Sequence, residues 1–123
     1  MQPTETAAGF NEVQHAVAPD HPVFAGHFPG QPLMPGALLL AEVIEAAAGI
    51  AWIAERLGSK PLLAAAKFLA PVRPGDLLDI RFHAEVAPAK GVRFEVGCGA
   101  VVCASGRWLP AAAPVVAPQN LIF

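Results

Sequence analysis

The chain has 123 residues, 54% of them hydrophobic and 15% charged. That length suits one domain, and so few charges leave surface that only a core or a second subunit can cover. The net charge is −2 and the eight Lys and Arg residues are scattered, so there is no basic footprint for nucleic acid or an anionic membrane.

The first ten residues, MQPTETAAGF, have neither a basic start nor an apolar run, and no secretory leader is expected. Residues 1–8 read as a flexible N-terminal tail ahead of a single domain over 9–123. FNEVQHAVA (10–18) is a weak strand, with Phe10, Val13 and Val17 apolar but alternation incomplete. A Gly/Pro-rich loop follows, ending in GHFPGQPLMPG (26–36).

Residues from 36 to about 57 read as one long helix. Pro35 suits its first turn, where a missing N–H costs nothing. Gly58 suits its stop, and Arg56 favours its last turn. The helix is apolar almost all round, through Leu38, Leu39, Leu40, Val43, Ile44, Ile50, Trp52 and Ile53. A surface helix shows one apolar stripe, so this one should be wrapped by something. Glu42, Glu45, Glu55 and Arg56 interrupt it, and no membrane span is expected.

The second half supplies the wrapping. LAAAKFLAPV (63–72) reads as a strand and RPGD (73–76) as a turn. LLDIRFHAEV (77–86) and VRFEVGCGAVV (92–102) alternate apolar and polar residues with period two, as half-buried strands do. APAKG (87–91) joins them as a hairpin. ASG (104–106) reads as a further turn before a last strand from about Arg107, which Pro110 and Pro114 confine to an edge or end early. Cys98 and Cys103, an odd number of residues apart, should face opposite sides of one strand. They read as reduced thiols in a cytoplasmic protein.

The loop raises the chemical question. A helix N-terminus presents unpaired N–H groups and partial positive charge, and Gly36 has no side chain to keep a ligand oxygen away. His27 sits nine residues earlier in a connection stiffened by Pro32 and Pro35. A histidine near backbone donors suits proton abstraction beside a polarised carbonyl. A tight structural turn with a surface histidine is the alternative. His15 and His83 read as solvated strand residues, and His21 as support for the loop. Phe28 packs under the loop or walls the substrate.

The string G-H-F-P-G-x-P-x-M-P-G, followed by an apolar helix, closely resembles the hot-dog-fold 3-hydroxyacyl-[acyl-carrier-protein] dehydratases. HPVF (21–24) and KFLAPVRPGDLL (67–78) extend the resemblance over roughly residues 10–113. It implies an α+β hot-dog fold, an antiparallel sheet wrapped around the central helix. It implies elimination of water from a 3-hydroxyacyl thioester to a trans-2-enoyl thioester, in fatty-acid or polyene-type biosynthesis. It also implies no metal and no diffusible cofactor, with substrate carried on the phosphopantetheine of acyl carrier protein or on CoA. Active sites would lie at the interface of a homodimer or higher even oligomer, or of a heterodimer with a homologue.

By position, His27 matches the family's base and Gly36 the donor to the thioester carbonyl, with Ala37 N–H beside it. The family's helix carboxylate, fourteen residues after the histidine, falls on Ala41 and is missing. Glu42 is adjacent, but about 100° round the helix. Glu45, one turn on and about 40° off, can lean into the space Ala41 leaves. Glu45 as acid, Glu42 as acid, a catalytically silent acyl-binding or partner subunit, and a hot-dog thioesterase all remain open at this level.

Overall fold

Hydrophobic alternation, rather than one long apolar run, builds the sheet. The computed structural model describes residues 4–7, 9–22, 24 and 34–110. Its strands are β1 (Thr4–Ala7), β2 (Phe10–Ala16), β3 (Leu62–Phe68), β4 (Leu77–Ala84), β5 (Val92–Cys98) and β6 (Val101–Leu109). They form one antiparallel sheet in the order β1-β2-β4-β5-β6-β3. Leu78, Ile80 and Phe82 on β4 and Val92, Phe94 and Val96 on β5 are buried on one face. Asp79, Arg81, His83, Arg93 and Glu95 take the other, as period two requires. RPGD is a tight turn with Gly75 at φ 83°, and its Asp76 carboxylate accepts from the Arg73 N–H at 2.8 Å.

Several features depart from the sequence reading. Residues 4–7, expected in a flexible tail, form an edge strand registered against β2 (Thr4 opposite Glu12, Ala7 opposite Phe10). Backbone pairing holds it, which a short polar sequence does not announce. The strand expected over 92–102 stops at Cys98, and the chain reverses at Gly99, φ +62°, and Ala100. The turn expected at 104–106 is strand: Gly106 lies within β6 because the Phe94 ring and the Ala65 carbonyl fill the place of a side chain. The two cysteines accordingly sit on facing strands. A register shift between Val96 and Gly97 leaves Cys103 as an extra residue, so both thiols meet the core. Both are free, and burial raises both thiols above their ordinary pKa.

The single helix expected over about 36–57 is two, α1 (Gly36–Ala48) and α2 (Ala51–Leu57), bent by 102°. Gly49 closes α1 with its N–H on the Ala46 carbonyl, and Ile50 is extended at φ −113°, ψ 111°. A glycine followed by a β-branched residue is a weak place for a helix, and the break lets Ile50 reach the core, where it is buried. α1 lays Leu39, Val43 and Ala47 on the sheet, one turn apart, and α2 lays Ile53 and Leu57. No single helix among the described residues is long and apolar enough to cross a membrane.

Two polar anchors hold the bent pair. Trp52 Nε1 donates to the buried Asn11 Oδ1 at 2.6 Å. Arg56, expected from sequence only to favour the last turn of the helix, donates to the carbonyls of Glu85, Ala89 and Gly91, clamping the β4–β5 connection. Asn11→Ala leaves the Trp52 N–H without its acceptor and should cost about 1–3 kcal/mol in denaturant unfolding. Adding Trp52→Phe should make the second change cheaper than it is alone, because the two share one bond.

Candidate active site

The entry to α1 is fixed from both sides. The Met34 N–H donates to the Val72 carbonyl at 2.8 Å, tying the loop to the segment after β3. Pro35 follows in extended conformation, φ −61° and ψ 146°, and offers no side-chain cap. The N–H groups of Leu38 and Leu39 both turn back to the Pro35 carbonyl. Gly36 and Ala37 lie ahead of them in the first turn, where a helix supplies no acceptor, and neither N–H has one among the described residues.

β3 delivers the wall of this site. Its last residue, Phe68, lays its ring against the Gly36 α-carbon, where an added Cβ would stand 3.0 Å from the ring. Beyond it the N–H groups of Leu69 and Ala70 both reach the Cys103 carbonyl, so the extra residue in β6 anchors the wall. Between wall and helix lies a cleft of about 410 Å³ lined by Met34, Gly36, Leu39, Phe68, Leu69 and Val72. The lining is mostly apolar, with the unbonded N–H groups of Gly36 and Ala37 at its rim. Nothing in the sequence around Phe68 marks this contact, which exists only because the end of β3 meets the start of α1.

α1 sorts its carboxylates by face. Leu38, Ala41, Ile44, Glu45 and Ala48 are exposed on the side away from the sheet. Glu42 turns to β2, where its Oε1 lies 3.3 Å from His15 Nε2, and both side chains are about three-quarters buried. His15 is therefore a partner of Glu42 rather than a solvated residue. Glu45 shares the Ala41 face and Glu42 does not. His21, read as loop support, sits edge-on to the buried Phe24 with ring centroids 6.2 Å apart. His27 and Phe28 lie outside the described residues. His83 is half-buried rather than fully solvated, and burial together with Arg93 lowers its pKa. Among the described residues no cluster of His, Cys, Asp and Glu could hold a metal ion.

A second apolar recess of about 330 Å³ opens at the far end of α1, between Ile44, Ala48, Ile53, Leu57, Leu63 and Trp108. Trp108 is buried there, stacked on Phe82 and tilted against Phe94 at 4.8 Å. The bend at Gly49 brings α2 across to form one side of it.

A six-stranded antiparallel sheet packed on a central helix, with an apolar cleft at that helix's uncapped N-terminus, defines a hot-dog domain. The profile of the ApeI-like family, described as ApeI dehydratase, matches residues 4–107, and the chain belongs to that family. It is 41% identical over 85 residues to the 3-hydroxyacyl-[acyl-carrier-protein] dehydratase FabZ of Chlamydia trachomatis serovar L2, covering 63% of this chain and 55% of that protein. It is 34% identical over 96 residues to the FabZ of Clostridium acetobutylicum, covering 74% and 63%. The chain thus spans little more than half the length of these relatives. Its fold is similar to the dehydratase heterocomplex ApeI:P of Xenorhabdus doucetiae, with TM-score 0.67 and 21% identity over 89% of this chain and 93% of the other.

Proposed function

We propose that the protein is a dehydratase that removes water from 3-hydroxyacyl thioesters, working as a dimer of this chain. The observation that carries the reading is the uncapped Gly36–Ala37 turn facing an apolar cleft, in a chain of this family. The thioester carbonyl accepts from Gly36 N–H, with Ala37 N–H beside it. That lowers the cost of negative charge on the oxygen as the neighbouring carbon loses its proton. His27 takes this proton. The Glu45 carboxyl group protonates the departing 3-hydroxyl, the C–O bond breaks, and water and the trans-2-enoyl thioester result. Nothing is oxidised or reduced, so the step needs no redox cofactor, and the acyl group is carried on the phosphopantetheine of acyl carrier protein or on CoA.

The dimer follows from β3. It is one edge of the sheet, every residue in it is exposed, and its sequence is LLAAAKF. Leu62 and Phe68 are more than half exposed, as is Leu69 beyond it, and Ile44 on α1 is half exposed. A long apolar edge of this kind pairs with another strand, and a two-fold axis matches β3 to itself. Within one copy Phe68 lies at the start of α1 and Leu63 at its far end. Antiparallel pairing of two β3 strands therefore sets one copy's cleft beside the other's Ile44, Glu45 and Ala48. The acid arrives from the facing copy, and the recess floored by Trp108 receives the end of the acyl chain.

A second reading has two observations in its favour. Ala41 stands where the family's carboxylate is expected, and a structural relative is a heterocomplex. This chain would then bind acyl groups, or supply its histidine site to a homologue that carries the acid. Incubating the pure protein with 3-hydroxyacyl thioesters of acyl carrier protein and CoA separates the readings. Enoyl thioester formed by this chain alone supports the dimeric enzyme. Product only after adding an acid-bearing homologue supports the heterodimer, and release of free thiol indicates hydrolysis instead.

A further inference from the structure

The face of the sheet away from the helices carries a groove that dehydration does not use. Across β4, β5, β6 and β3, His83 stands opposite Arg93, Arg93 opposite Arg107, and Arg107 opposite Ala65. In the next row Arg81, Glu95, Ser105 and Lys67 are matched in the same way. Neighbouring strands are about 4.8 Å apart, so Ser105 is flanked directly by Lys67 and Glu95, with Arg93 and Arg107 in the adjoining row. The small Ala65 and Ser105 form the floor of a recess of about 280 Å³.

Like charges directly opposite one another weaken a sheet, and only part of this charge is neutralised within the protein. Arg107 makes two bonds of 2.7 Å to Glu85. Glu95, the one carboxylate in the lining, is held by Arg81 at 3.3 Å. Among the described residues Arg93 and Lys67 have no salt bridge and no side-chain hydrogen bond. Two free cations on different walls, with a hydroxyl between them, suit a doubly charged tetrahedral oxyanion better than a planar carboxylate, which offers two oxygens in one plane.

We propose that this groove is a binding site for a phosphate monoester or inorganic phosphate dianion, with Arg93 and Lys67 as its charged donors and Ser105 as its neutral one. It lies on the opposite face of the sheet from Gly36, so occupancy leaves the cleft open.

The test is calorimetric titration of the full chain at fixed ionic strength with inorganic phosphate, CoA and dephospho-CoA, the last lacking the 3′-phosphate monoester. Binding of CoA but not dephospho-CoA supports the site with the nucleotide as its source. Binding of inorganic phosphate as tight as CoA supports it with the free anion as source. Either affinity should fall at least about tenfold in Arg93→Gln and in Lys67→Gln, and stay unchanged in Arg73→Gln. Arg93→Gln should also melt higher than wild type without anion, since it removes a like-charge contact; a purely structural arginine would melt lower when replaced. Failure of both inorganic phosphate and CoA to bind, or binding indifferent to Arg93 and Lys67, overturns the proposal. Neither result depends on turnover.

Discussion

Glu45→Gln is expected to lower kcat for dehydration by about 10²–10⁴-fold, the usual worth of a placed proton donor, while Glu42→Gln keeps near-wild-type turnover. The two glutamates differ by three positions and by everything in their surroundings. Glu42 faces β2 with His15 at 3.3 Å, and reaching the Ala41 side would require the helix to rotate. Glu45 is exposed on the Ala41 face, beside Ile44 and Ala48, the surface that the proposed β3-paired dimer would turn toward the partner's cleft. Because Glu45 makes no salt bridge or side-chain hydrogen bond among the described residues, the glutamine should fold and melt like wild type. Ala41→Glu added to Glu45→Gln should restore turnover by returning a carboxyl group one turn earlier. Unchanged kinetics in Glu45→Gln removes it from the mechanism.

Gly36→Val should cost about 10²–10³-fold in kcat, the range for loss of one donor to a developing oxyanion. A single Cβ at this position already stands 3.0 Å from the Phe68 ring. A branched side chain must push that ring, itself half exposed, into the cleft and crowd the approach to the N–H. Stability should fall less than activity, by about 1–3 kcal/mol for local overpacking, so folded but inactive protein is the expected product. Wild-type turnover in folded Gly36→Val would show that the substrate carbonyl lies elsewhere.

The parts of the fold that declare themselves through period two were legible. β4 and β5 fall where LLDIRFHAEV and VRFEVGC alternate, because one dry face forces that spacing. The hairpin after β5 was not, because apolar residues continue through it: Val96, Cys98, Ala100 and Val102 keep the alternation while the backbone reverses at Gly99. The glycine at 106 looked like a turn but serves a close approach by Phe94, a tertiary fact with no local signature. The same holds at Gly49, where an apolar run spells helix and long-range burial of Ile50 favours the break. Arg56 shows the limit for charges. Its role depends on three carbonyls some thirty residues away.

Of the candidate site, the start of the helix and the facing of its glutamates were legible, while His27 and Phe28 lie outside the described residues. Pro35 was expected in the first helical turn; the backbone keeps it extended just before a helix that begins at Gly36. Facing followed from helix geometry, since a 40° offset keeps Glu45 with Ala41 and a 100° offset takes Glu42 away. What sequence spacing did not give was the wall. Phe68 reaches Gly36 only because β3 lies beside α1, and the K-F pair carries no mark of that contact.

Mixing two inactive variants tests most directly whether each site is shared between copies. His27→Ala and Glu45→Gln, each purified as a near-inactive protein, should regain activity when unfolded together and refolded at equal ratio. Random pairing under two-fold symmetry gives about a quarter of wild-type turnover, since half the dimers are mixed and each holds one intact site. A mixture no more active than its components, with mixed dimers shown to form, would contradict a histidine and a glutamate meeting across the β3 seam.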